Sequence, residues 1–167
     1  MTTEFLIAVL CDISLAFLVA VGWSVLFGTP GRVLWVAGLL GGFGHCFRFV
    51  LLEAGVGLVL ATLLASVLIG LTGIFMAHRV DHPPVVFTMP ACITMVPGLY
   101  AYRSMLGGIK VTDETILREN PTLLAEIAHN IMLTFSLLAT LAIGISVGVL
   151  LFRKRSVRDI SFGWKRP

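Results

Sequence analysis

The chain has 167 residues, of which 57% are hydrophobic and 13% charged, and its mean hydropathy is +0.99. Soluble domains carry roughly a quarter of their residues charged, so a soluble globular domain is excluded and an all-α, polytopic integral membrane protein is expected. The formal charge of +3 does not indicate nucleic acid, because six of the twelve Lys/Arg lie in the closing "RKRSVRDISFGWKRP". That is a basic juxtamembrane tail of the kind that sets topology and meets anionic lipid headgroups.

Five spans are predicted, forming a transmembrane domain over 1–152, followed by a cytoplasmic tail over 153–167. The first, 5–27, is too long for a signal-peptide core and has no basic segment before it, so it is expected to stay in the mature protein. It ends at "GTPGR", a turn rich in Gly and Pro. The second, 32–53, is the least apolar and holds His45 and Arg48. If it failed to cross, four full spans and one interfacial or buried segment would remain. The third runs over 56–77 and stops at "HRVDHPP".

The fourth span, 85–108, contains "CITMVPGLYAYRSM", where a plain anchor would carry leucine. Pro97 lacks an N–H and its ring crowds the carbonyl of Ile93, while Gly98 eases irregular backbone. The break falls near the midplane, a depth at which irregular backbone is tolerated only inside protein or along a watery cavity. "KVTDETILRENP" follows as a polar connector, with Asn120 and Pro121 expected at N-cap and N1 of the next helix. The fifth helix, 121–152, would be about 48 Å long. Its first turns, with Glu126, His129 and Asn130, therefore project beyond the ~30 Å hydrocarbon layer.

Loop charge sets the orientation. Arg32, Arg79 and the tail fall on one face and Lys110 and Arg118 on the other, placing the C-terminus in the cytoplasm and the N-terminus outside. Asp12, His45, Arg48 and Arg103 then all lie in the outer half, roughly 7–12 Å deep. Ionisable groups at that depth suggest a pathway or proton relay. One carboxylate against two arginines and a histidine favours a carboxylate-bearing solute over a metal cation or amine. Asp12 could neutralise an arginine or take part in coupling, and His45 could handle protons, since imidazole titrates in the physiological range, or be structural. Tyr100 and Arg103 share a face, beside a half-helix whose N-terminus points toward the midplane. Arg103 could instead snorkel to the interface.

Small residues recur at every fourth position in the third helix (Gly57, Ala61, Ala65) and the fifth (Ser136, Thr140, Gly144, Gly148). Such stripes let helices approach closely in lipid, within one bundle or between subunits, a second copy included. The glycines of "GGFG" are close-packing points. Cys11, Cys46 and Cys92 lack metal-ligand or redox spacing and read as reduced packing residues. His78 and His82 sit in a Pro-rich loop and do not make a metal site. No nucleophile elbow, H-E-x-x-H, phosphate loop or paired carboxylates are present, so neither an enzyme nor a bound cofactor is expected.

At "GHCFR" (44–48) and "HPPVVFTMPACITMVPGLYAY" (82–102), the chain resembles the threonine/serine exporter family of bacterial membrane proteins. Within it, the resemblance is to the second-half type, the YjjB-like small subunit of YjjP/YjjB succinate exporters. The resemblance implies secondary, ion-driven export of small amino acids or dicarboxylates across the inner membrane. It also implies a larger partner subunit with a soluble N-terminal region. The family pattern falls on Gly44, His45 and Arg48 and on Pro97, Gly98 and Tyr102; nothing carries over for Asp12 or Arg103. If the two halves are related, five spans would place one inverted relative to the other, the arrangement that supports alternating access. The alternative is a structural or stabilising subunit whose partner holds the conduction path.

Overall fold

The computed structural model describes residues 3–152, which are helical apart from short connectors. Helix α1 spans Thr3–Leu26, α2 Leu34–Glu53 after a 3-10 turn at Gly31–Val33, α3 Leu58–Val80, α4 Val85–Ile93, α5 Gly98–Val111, α6 Glu114–Glu119 and α7 Leu123–Phe152. Four helices are long and apolar enough to cross a membrane; α4 and α5, bent by 57° at their junction, make the fifth span if taken together. The second segment is a full-length helix. The interrupted one is the fourth.

Helices α1 and α2 both end in Schellman caps. Gly28 (φ 68°) follows α1, with Thr29 N–H donating to Ser24 O at 2.9 Å and Gly28 N–H to Val25 O at 3.0 Å. Gly55 (φ 85°) closes α2 in the same way through Val56 and Leu51. Glycine holds this left-handed position at no steric cost, which is why these two helices stop where they do.

The same pair packs through small residues. Ala16, Ala20 and Ser24 are the buried residues of α1. They form a four-residue repeat that meets the glycines of α2. A Cβ at Gly41 would stand 2.5 Å from that of Ala20, and one at Gly42 would stand 3.1 Å from Ile13 O. The "GGFG" glycines are thus contact points, as expected. The α1 stripe is one the sequence reading passed over.

Helix α3 packs most extensively on α7. A Cβ at Gly70 would lie 2.8 Å from Gly144 O, and one at Gly148 2.5 Å from Gly70 O; Ser66 Oγ donates to Thr140 O at 3.1 Å. The Thr140–Gly144–Gly148 stripe therefore serves packing within the bundle. Ala61 and Ala65 are fully buried, whereas Gly57 is the exposed N-cap of α3, with open space where a side chain would stand, and Ser136 is exposed. Those two residues fall outside the packed stripes.

Helix α4 occupies the middle of the molecule, against α1, α2 and α3. Phe87, Ala91 and Cys92 join Val36, Ala65 and Met95 in the buried core. After the bend, α5 leaves this core and runs along α7. The connector after α5 is not simply polar coil: α6 forms within it, started by Asp113, whose side chain accepts from Thr115 N–H at 2.9 Å. Asn120 ends α6, and α7 begins at Leu123. The expected Asn120–Pro121 helix start is corrected accordingly: the local capping preference is taken by α6. The basic tail, 153–167, lies outside the described residues.

Candidate functional site

The fourth span carries two prolines, Pro90 within α4 and Pro97 at the break. Pro97 (φ −78°, ψ 57°) sits at the centre of an inverse γ-turn, with Gly98 N–H donating to Val96 O at 2.8 Å. The Gly98 amide is therefore occupied. The free donors at the start of α5 are the amides of Leu99 and Tyr100, which have no helical acceptor in the first turn and none outside it. The crowded Ile93 carbonyl is served instead by Val96 N–H at 3.1 Å. Four residues before the buried Pro90, the Val86 carbonyl loses its helical donor. It is reached by Thr29 Oγ1 from the α1–α2 connector at 3.2 Å.

At the break itself, Arg48 reaches across from α2 and donates from Nη1 to Met95 O at 3.1 Å. Met95 is 2% exposed, so this carbonyl has little access to water and the guanidinium takes the place of an amide. Gly44, one turn earlier on α2, packs its bare backbone against Ile69 and near Met95. That contact keeps α2 close to the break.

Beside this contact, His45 Nδ1 pairs with Asp12 Oδ2 at 2.8 Å, joining α2 to α1, with 24% and 18% of the two side chains exposed. The Asp12 carboxylate and the Tyr100 side chain both lie near the Arg48 guanidinium. Three chain segments thus bring one carboxylate, one imidazole, one guanidinium and one phenol around a helix interruption.

Of the residues predicted for the site, Asp12, His45, Arg48, Pro97 and Tyr100 come together. Asp12 partners the imidazole directly; of its two expected roles, pairing with an arginine is not the contact formed. Gly98 is exposed with nothing packed over it. Tyr102 is 53% exposed, and Arg103 lines a separate cleft toward α7. Thr29 and the Met95 carbonyl were missed. Thr29 had a legible signal in "GTPGR"; a backbone acceptor has none. Among the described residues no group of His, Cys, Asp or Glu is arranged to hold a metal ion.

A bundle of apolar helices with an interrupted span and an intramembrane charge cluster defines a membrane protein of the transporter type. A family model described as "Threonine/Serine exporter, ThrE" matches residues 12–151, and the chain belongs to this exporter family. The match takes in every segment that builds the cluster. No solved structure matches the chain.

Proposed function

We propose that this chain forms half of a path for secondary export of small carboxylate-bearing metabolites, threonine and serine or succinate-like dicarboxylates, across the bacterial inner membrane. The observation that carries the reading is the reach of Arg48 into the break, beside the Asp12–His45 pair. A solute carboxylate arriving there would meet the guanidinium, the free amides of Leu99 and Tyr100 and the positive end of α5. Arg48 can exchange the Met95 carbonyl for that carboxylate, coupling solute binding to release of the break. Asp12 and His45 together can hold a proton beside the break; taken up from outside on the return of the empty site, that proton is exchanged for an outgoing solute and links export to an ion gradient. The larger subunit supplies the facing half, and the N-terminus lies outside with the C-terminus in the cytoplasm.

A second reading, a stabilising subunit, is favoured by one observation: no buried side-chain polar atom among the described residues lacks a partner, so Arg48 already has a structural role. Reconstitution into liposomes with and without the larger subunit separates the two. Labelled threonine and succinate are followed under an imposed proton gradient. Gradient-driven flux that solute-protected cysteines at 97–103 report on supports the path; full flux with those positions indifferent to solute assigns conduction to the partner.

A further inference from the structure

Helices α2 and α3 are joined by the tight 54–57 turn, so the start of α2 and the end of α3 lie on one face of the membrane. Between the two helices is a cavity of about 260 Å³, walled by Leu39 and Phe43 of α2 and by Leu68, Phe75 and Met76 of α3. Phe43 and Phe75 are exposed, so the cavity is a groove open to the outside of the bundle. Its floor is the Gly44–Ile69 contact. The hydroxyl in its wall, that of Thr72, is already bonded to Leu68 O at 2.6 Å. The groove therefore offers a polar solute no hydrogen-bonding side chain.

The mouth of the groove is different. Trp35 precedes Leu39 by four residues and Arg79 follows Phe75 by four, so both continue the walls by one turn, about 6 Å, toward the membrane surface. The Trp35 indole donates to Arg32 O at 2.8 Å, which fixes an amphipathic ring where such rings meet lipid headgroups. The Arg79 guanidinium lies over the Phe75 ring, 4.7 Å from its centroid, and so stands above the groove wall. Stacking leaves its in-plane N–H donors open. Among the described residues the ion pairs are Asp12–His45 and Glu114–Arg118. Arg32 and Arg79 are in neither, and Asp81, two residues beyond Arg79, is not bridged to it. Two cations thus cap an apolar groove.

An anionic headgroup carried on a flexible apolar chain matches both parts. One turn of α-helix encloses roughly 400–600 Å³ at its usual diameter and pitch, more than the groove holds, whereas an acyl chain can thread it. We infer that the α2–α3 groove binds one anionic phospholipid. An acyl chain lies between Phe43 and Phe75, the phosphate meets Arg79, and Arg32 adds positive charge at the same surface. The site stands on the membrane fold alone and is independent of the export reading.

The test places a photocrosslinking benzoylphenylalanine at Phe43 in the full chain, in vesicles of equal phosphatidylglycerol and phosphatidylcholine with matched acyl chains, and weighs the adducts. The same group at Leu18, exposed on α1, gives the background of unselected lipid. At position 43 phosphatidylglycerol adducts are expected to exceed phosphatidylcholine adducts about fivefold, the scale of one arginine at a bilayer surface. At position 18 the two should be near parity. The double variant Arg32→Gln and Arg79→Gln, both at exposed positions, should bring position 43 to parity as well. Parity at 43 without those substitutions, an equal excess at both positions, or an excess that survives the double variant overturns the proposal. So does an adduct with a second copy of the chain in place of lipid, which would make the groove an interface between copies.

Discussion

The α3–α7 crossing and the α1–α2–break region are both held by small residues, yet they differ in what they enclose. Between α3 and α7, glycines 70, 144 and 148 bring the two backbones together, and the one side-chain bond across the crossing among the described residues is Ser66 to Thr140 O. Between α1 and α2 the glycines close the helices just as tightly, and beside them sit Asp12, His45 and Arg48. Close packing alone therefore does not mark function in this bundle. Charge placed next to an interrupted helix is the feature on which the proposed path rests, because each such group costs free energy in lipid unless partnered.

The largest effect that would test this contrast is Arg48→Ala. Losing a half-buried cation hydrogen-bonded to the break should cut export by about 100-fold, the scale of removing one partner of such a contact. Membrane level should hold, and quantitative export by cells that retain the variant checks it. Undiminished export would reduce the cluster to a packing device. On the other side, Gly144→Leu forces a side chain into Ser66 and the backbone of Val67. A loss of about 1–3 kcal/mol is expected, read as a lower midpoint of thermal unfolding in detergent, with residual folded protein still exporting. Equal stability would mean that α3 and α7 are not locked as described.

Thr29→Val keeps shape but removes the donor to Val86 O. The expected cost is about 1 kcal/mol, seen in the same unfolding measurement, and smaller than that of Gly144→Leu. The smallest effect is a pH response outside the membrane. Hydrogen bonds from the hydroxyl and then the amide of Thr115 hold the Asp113 carboxyl below its ordinary value. The support this gives α6 is complete above the ordinary carboxylate range and is lost as pH falls through the lowered value. Amide hydrogen exchange in 114–119 should quicken at acid pH, and Asp113→Ala should quicken it already at neutral pH. A pH-independent rate would show that the cap does not hold α6.

Much of the bundle was readable beforehand for particular physical reasons. Apolar runs of bilayer length leave few alternatives, and Pro97 beside Gly98 cannot continue a helix. His45 and Arg48, three residues apart, had to share a face. What escaped the sequence depended on partners remote along the chain. That Asp12 meets His45 and not an arginine is decided by how α1 crosses α2 at Ala20 and Gly41. That Arg103 turns toward α7 follows from the 57° bend, which swings α5 out of the core. The helix inside the polar connector was hidden because its start rests on one short cap, Asp113 accepting from Thr115, and Asn120 is engaged at its end, donating to Ile116 O.

The two prolines of the fourth span have one more consequence. Val86 O and Met95 O lie nine residues apart, near either end of α4, and each takes its hydrogen bond from a side chain of another segment. A hydroxyl and a guanidinium can change partners by rotating about single bonds, which backbone amides locked in a helix cannot. The hydrogen bonds at the two ends of helix α4 can therefore be exchanged while its own spiral and those of its neighbours stay wound.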